Sequence, residues 1–330
     1  MIVLKKLLEN DVVTDYYMDI IGESLSLYDN VITCREWDEY SFNKGDIVVV
    51  CTATDAIKAF VKRIPYVFWA QGIWPEESYM RNHSKIRYYI LNIIEKVALK
   101  HATFTFFVSK TMKEYYEKKY KLNFKDKFYI MPCSNDSIHL ESFNEKKYGG
   151  NVFCYAGGTS VWQCFEETIS LYSNIERIIP DAKIVLLVQD REQALKILHK
   201  YDVKNYEIDY VSIDKLSSIL SNVKFGFVLR KDCSVNYVAT PTKVLTYLVN
   251  GVIPIYGGSL VGIDYILKET KYKIKHDLKE DCEDIVNFCK KNICSEEVLK
   301  EYMDVYSKYY DRERNIQGIR KKIKNNGIFI

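Results

Sequence analysis

Short apolar runs of about five residues alternate with longer amphipathic stretches along almost the whole chain, and nothing else in the sequence narrows the fold as much. Such alternation predicts α/β layering with largely parallel sheets. In the first half, strands are expected at Ile47–Cys51, Tyr66–Ala70, Phe104–Val108 and Phe128–Met131, with helices at Thr54–Arg63, Ser78–His101 and Lys110–Lys119. From Leu140 to Gly150 the chain turns polar and ends in Gly149-Gly150, which marks a domain boundary. The second half restarts with strands at Asn151–Ala156, Lys183–Val188, Tyr206–Tyr210, Lys224–Leu229 and Val252–Tyr256. Helices are expected between them at Trp162–Ile179, Arg191–Tyr201, Ile213–Ser221 and Pro241–Asn250, and a charged helical tail from Glu280. No fixed-period repeat occurs, so a solenoid is excluded. The expectation is two α/β domains, 1–148 and 149–305, followed by a C-terminal segment 306–330.

The 330 residues suffice for two such domains. With 47 basic against 44 acidic side chains the net charge is only +3, so no global basic field points to nucleic acid. An apolar fraction of 48% excludes general disorder. The 9 cysteines form no Cys-x-x-Cys pair, and Cys282, Cys289 and Cys294 lack nearby histidines at ligand spacing, which favours reduced thiols over a zinc site. No run is apolar enough for a signal peptide or a membrane span, so a cytoplasmic protein is expected.

In open parallel sheets, ligands bind beyond the carboxyl ends of the strands. Those ends carry Gly157-Gly158-Thr159 after Ala156, Arg230 after Leu229 and Gly257-Gly258 after Tyr256. In the first half they carry Gln71-Gly72-Ile73-Trp74-Pro75-Glu76-Glu77 after Ala70 and Pro132-Cys133 after Met131. Any one of these is an ordinary turn; together they describe two facing rims around a cleft. The segment Thr240-Pro241-Thr242-Lys243 reads as a helix start, with Thr240 as N-cap and Pro241 at the first helical position. Its unpaired amides, the helix dipole and the Lys243 ammonium make an anion site. Thr246 faces the same side, Asn236 lies just upstream, Gly157 and Gly158 permit close approach, and Arg230 offers a bidentate contact. The plainer reading of each alone is a helix start, a tight turn, a surface ion pair and dipole-favoured acids at Glu76 and Glu77.

Those residues resemble a GT-B-fold glycosyltransferase, two Rossmann-like domains facing across a cleft, closest to the glycosyltransferase family 4 enzymes that build bacterial capsules and other surface polysaccharides. The resemblance rests on Val108-Ser109-Lys110-Thr111-Met112, Ile130-Met131-Pro132-Cys133, Tyr155-Ala156-Gly157-Gly158 with Trp162-Gln163, and above all Ala239 to Pro254. It implies transfer of a sugar, with retention and without a metal, from a nucleotide-diphosphate donor (UDP by the family's habit) to a glycan or lipid-linked acceptor. Gly157, Gly158, Arg230 and Lys243 would face the donor diphosphate, with Thr159, Asn236, Thr240, Thr242 and Thr246 around it. Gln71, Gly72, Trp74, Glu76 and Glu77 would serve the acceptor, with Gln71 and Glu76 nearest the chemistry. Segment 306–330 would cross back to the first domain. The paired glutamates usual in that family are replaced here by Val238 and Thr246, and the usual acceptor-domain histidine is not evident. Two other readings stay open, a nucleotide-sugar epimerase on the same fold and a non-catalytic sugar-nucleotide-binding scaffold.

Charge is unevenly placed. Residues 1–80 hold 7 basic and 13 acidic side chains, and residues 81–127 hold 12 and 4, a net +8. Within the basic stretch, Lys85 to Ile94 interleaves cations with aromatic and aliphatic residues, which fits a helix lying on an anionic membrane or one packed in the first domain. Residues 306–326 add a second basic run, net +5 from seven basic and two acidic side chains.

Overall fold

A computed structural model describes residues 1–327 apart from 10, 161, 212, 279 and 280, and the side chains of 213 and 214 are also outside it. The expected start of the helical tail at Glu280 and the last three residues of 306–330 lie outside the described residues. The chain forms two units. The first takes Met1–Asn135, Tyr237–Thr240 and the chain from Ser307; the second takes Asp136–Asn236 and Pro241–Tyr306.

The first unit runs β1 (Ile2–Lys5), α1 (Val12–Leu25), β2 (Val31–Cys34), β3 (Ile47–Val50), α2 (Ala53–Val61), β4 (Tyr66–Ala70), α3 (Trp74–Asn82), α4 (Lys85–His101), β5 (Phe104–Phe107), α5 (Lys110–Tyr120) and β6 (Phe128–Ile130). Its six-stranded sheet is parallel throughout, in the order β2-β1-β3-β4-β5-β6. β1, β3, β4 and β5 are almost wholly buried, as expected of a parallel sheet covered on both faces. Sequence reasoning misses β1, β2 and α1; β1 and β2 are short strands of four residues each.

The expected single helix over 78–101 is two. His83 takes φ +51° and ends α3, and Ser84 caps α4 by accepting from Arg87 N, 3.3 Å away. The motif serine Ser109 likewise caps α5, accepting from Met112 N at 2.9 Å while donating to Val238 O at 2.6 Å.

The second unit opens with a 3-10 turn (Leu140–Ser142) and runs α6 (Glu145–Gly149), β7 (Val152–Ala156), α7 (Phe165–Ile178), β8 (Lys183–Leu187), α8 (Arg191–Lys200), β9 (Tyr206–Asp209), α9 (Ile213–Leu220), β10 (Phe225–Val228), α10 (Ser234–Val238), α11 (Thr242–Val249), β11 (Ile253–Tyr256), α12 (Val261–Ile266), β12 (Ile274–Lys275), α13 (Glu283–Cys289) and α14 (Ser295–Tyr309). Its parallel sheet has the order β12-β11-β10-β7-β8-β9. Counted from its own first strand this is the 3-2-1-4-5-6 order of dinucleotide-binding folds.

The units part at Asn135, not at 148 as the polar composition of 140–150 suggests. Residues 136–148 are sewn to the second unit by Lys147, whose buried ammonium donates to the carbonyls of Ser142, Leu220 and Asn250. Burial lowers that lysine's pKa to about 7. At the other end, α15 (Arg312–Asn326) starts at the Asp311 cap and belongs to the first unit. Its Ile316, Ile319 and Ile323 join the core built by α1 around Tyr17, which stacks on Trp69 at 3.7 Å. Gly318 lets α15 lie against Tyr129, since a Cβ there would sit 2.3 Å from the Tyr129 hydroxyl.

Candidate active site

In the second unit the strand order reverses between β7 and β10, so the crevice of that sheet opens where those strands end. Gly157 and Gly158 follow β7, and Arg230 follows β10 after Leu229. Gly157 holds φ +122°, a conformation that costs an L side chain, and its N–H closes on Leu187 O at 2.9 Å. A Cβ at Gly157 would come 3.1 Å from both Cε and Nζ of Lys243, so the glycine turn and that ammonium are neighbours. The turn is braced from below by Tyr155, whose hydroxyl donates to Gly158 O at 2.7 Å.

Lys243 lies in the first turn of α11 with its ammonium 4.1 Å from the centre of the Tyr155 ring and 3.4 Å from Gln163 Oε1. Burial and then the neighbouring Arg230 push its pKa well below the usual lysine value. Burial also lowers the pKa of Arg230. Among the described residues neither cation has a carboxylate within ion-pair distance, and the Arg230 guanidinium has no hydrogen-bond partner. Two half-buried cations beside each other without a counter-charge are held against their mutual repulsion. Such an arrangement can take up negative charge, with Gly157 and Gly158 exposed beside it.

Pro241, not Thr240, is the N-cap of α11, and no side chain caps the helix, so the first-turn amides of Thr242 and Lys243 stay without an intrahelical partner. Thr240 lies instead in the first unit, buried, donating to Val108 O and accepting from Cys133 N, each at 3.3 Å. Two other expected donor-site residues are spent internally. Asn236 uses its amide nitrogen on Lys231 O at 2.8 Å and Trp162 O at 3.2 Å, which shapes the segment after Arg230. Thr246 donates to Thr242 O at 3.2 Å, inside its own helix. Thr159 is half-buried beside the glycine turn.

The sequence gives Tyr247 no role of its own. Its hydroxyl accepts from Ala156 N at 3.1 Å, one residue before the turn, and its ring fills the space above Gly226, where a Cβ would sit 2.4 Å from it. A glycine in mid-strand, Phe225-Gly226-Phe227, is the signal that marks such a close approach.

On the first unit, the sheet reverses order between β1 and β3, and two cavities adjoin that edge. One, of about 730 Å³, is lined by Lys5, Arg35, Trp37, Asp55, Lys58 and Lys62 among others. The second, of about 320 Å³, shares Leu7, Thr52 and Thr54 with it and adds Gln71, Gly72, Trp74, Glu77 and Glu95. Gln71 is exposed there, and the Glu77 carboxylate rests over Gly72, where a Cβ would be 2.2 Å from Oε1. Burial raises the Glu77 pKa. Glu76 is not among the lining residues of either cavity, being tied to Lys119 at 2.7 Å and to the Tyr88 hydroxyl at 3.0 Å.

Glu95, which sequence reasoning passed over, is the buried centre of this region. It accepts from Trp74 N and the Tyr116 hydroxyl at 3.0 Å each and from the Tyr120 hydroxyl at 2.7 Å. Its position on the buried face of α4 with Leu91, Ala98 and Leu99 is the sequence signal. Burial pushes its pKa up to about 7 against 4.5 unfolded. A folded-state pKa above the unfolded value contributes stability that is full below pH 4.5 and lost as pH rises through about 7. Glu95→Gln should therefore flatten the fall of Tm between those pH values; an unchanged slope in a thermal series would show that Glu95 does not carry it.

No protein-family model and no curated protein sequence matches the chain. Solved structures do match. HepE of Anabaena in complex with UDP superposes with a TM-score of 0.68 at 10% identity, covering 98% of this chain and 99% of HepE. The fold is GT-B. WaaG, a glycosyltransferase involved in lipopolysaccharide biosynthesis, gives 0.62 at 13% identity over 97% of this chain and 99% of WaaG. TarM of S. aureus, in complex with UDP among other ligands, gives 0.65 at 10% identity over 86% of this chain. The chain spans about half the length of TarM, 55%. These likenesses establish the GT-B fold of the two sheets.

Proposed function

We propose that the protein is a glycosyltransferase that moves a sugar from a nucleotide-diphosphate donor, UDP-linked in the first instance, to a glycan or lipid-linked glycan. The observation that carries this reading is the pair of unneutralised, half-buried cations Arg230 and Lys243 beside the exposed Gly157-Gly158 turn, at the sheet's switch point. The GT-B fold, and the UDP held by structures that share it, support it.

In the reaction, the bond from the anomeric carbon to the donor's β-phosphate oxygen breaks, and a bond from that carbon to the acceptor oxygen forms. The electron pair leaves on the diphosphate, and the acceptor's hydroxyl proton passes to a phosphate oxygen. Arg230, Lys243 and the free first-turn amides of α11 stabilise the negative charge that develops, an electrostatic contribution of the kind that dominates acyl and phosphoryl chemistry as well. Retention of the anomeric configuration follows from the leaving group acting as base on the face it departs from. Gln71, Trp74 and Glu77, around the smaller first-unit cavity, bind the acceptor. Two fixed cations supply the charge for which a divalent ion would otherwise serve, so no metal is assigned. The setting is synthesis of a bacterial surface polysaccharide such as a capsule, in the cytoplasm.

The test is release of nucleoside diphosphate from a panel of nucleotide-sugars, with and without chelator. The expected outcome is release from a UDP-sugar that survives chelation. Loss of release restored only by Mn²⁺ or Mg²⁺ removes the metal-free reading, and binding of UDP-sugars without turnover favours a non-catalytic scaffold. That second reading has one observation in its favour: Thr246, where a ribose-binding carboxylate would stand, keeps its hydroxyl for its own helix.

A further inference from the structure

Helix α4 carries an apolar stripe on its outside. Ile86, Tyr89, Ile90 and Ile93 recur at helical spacing on the side opposite Leu91, Glu95, Ala98 and Leu99, and are 76, 68, 53 and 66% exposed. A helix of a folded protein normally turns such a row inward, and four large apolar side chains in one exposed row mark an interaction face. The polar companions of that row are all of one sign. Lys85, Arg87, Lys96 and Lys100 are exposed, while Glu95, the helix's only acid, is buried beneath it. Among the described residues Lys85, Lys96 and Lys100 make no ion pair. Helix α2, which packs against α4, ends in exposed Val61, Lys62 and Arg63. Among the described residues no helix is long and apolar enough to cross a membrane.

We infer that this face docks the protein onto an anionic phospholipid surface, with the isoleucines and Tyr89 at the level of the acyl boundary and the lysines against the headgroups. Charge decides between occupants. A second copy meeting this face about a two-fold axis would set Lys85, Arg87, Lys96 and Lys100 against themselves, and like charges across an interface oppose association. An anionic bilayer satisfies both halves of the face at once, apolar row and cationic flank. The inference does not rest on the glycosyltransferase reading, although surface attachment would bring that enzyme to a lipid-linked acceptor.

The experiment is co-sedimentation of the full chain with vesicles of phosphatidylcholine alone and of phosphatidylcholine mixed with phosphatidylglycerol, at low and high salt. The protein should pellet with the anionic vesicles at low salt and stay in solution with the neutral ones. Ile86→Ser/Ile93→Ser should weaken binding by roughly tenfold or more with an unchanged melting temperature, because both side chains leave the core alone. Lys96→Glu/Lys100→Glu should weaken it comparably and reduce its salt dependence. Indifference of the wild-type chain to anionic vesicles at low salt would overturn the inference. So would equal binding by the isoleucine variant, or a wild-type dimer in sedimentation velocity that the isoleucine variant converts to monomer. UDP titration of the same samples separates the two proposals, since vesicle binding is expected whether or not nucleotide binds.

Discussion

Lys243→Ala should cut turnover by ~10²–10³-fold while leaving the melting temperature equal to the wild type's or higher. Most substitutions of a half-buried residue destabilise, so the combination is diagnostic. The ammonium lies against the Tyr155 ring and Gln163, with Arg230 as its nearest charge and no carboxylate in reach. In the empty protein it is therefore a liability, which its lowered pKa records; only a bound anion turns it into an asset. The same logic fixes a sign for pH. A diphosphate beside Lys243 raises its pKa back toward normal, so binding takes up protons and affinity falls as pH rises through the value of the free protein. Calorimetry in buffers of different ionisation enthalpy reads that uptake. Near-normal turnover of Lys243→Ala would remove the residue from the mechanism, and loss of the folded state would make it structural.

Gly226→Ala should lower stability by about 2–3 kcal/mol, a fall of roughly 5–10 °C in Tm, and should weaken nucleotide binding as well. The added methyl would sit 2.4 Å from Tyr247, a fully buried ring with no flexible end to swing away. Relief requires the ring to shift, and the ring's hydroxyl is what holds Ala156 N just ahead of Gly157. The strain is thus delivered from the middle of β10 to the glycine turn beside Lys243. A thermal melt with and without UDP checks both parts; a variant as stable as wild type would mean that the sheet yields there without cost.

Much of the architecture is legible because parallel strands buried on both faces read as continuous apolar runs, which is why the sequence bounds Tyr66–Ala70 as the structure does and several other strands to within a residue. The failures were local. β1 runs straight on into Lys6-Leu7-Leu8, which periodicity does not separate from a helix, and β2 is mostly half-buried or exposed, so it lacks the continuous apolar run of a central strand. The break at Ser84 depends on one hydroxyl reaching Arg87 N and on His83 accepting φ +51°, and neither is a periodicity.

At the candidate site, the structure brings together residues that the sequence marks at the ends of elements: Gly157, Gly158 and Arg230 after strands, and Lys243 at the start of α11. The residues to which the sequence assigns no site role act from inside elements. Tyr155, Tyr247 and Glu95 sit in strand or helix patterns where an aromatic or a lone acid reads as packing, and only the folded chain shows their polar atoms braced against a turn. Thr240 and Asn236 differ in the opposite sense. Both are of the type that binds ligands, but their groups are consumed within the protein, by Val108 and Cys133 in one case and Trp162 and Lys231 in the other.

The most direct measurement is a pair of calorimetric titrations of the wild-type chain, one with UDP and one with uridine. If Arg230 and Lys243 exist to neutralise a diphosphate, UDP should bind at least roughly 10²-fold more tightly than uridine, and replacing either cation by alanine should close most of that gap. Equal affinity for the two, or a UDP preference that survives Arg230→Ala and Lys243→Ala together, would contradict the account.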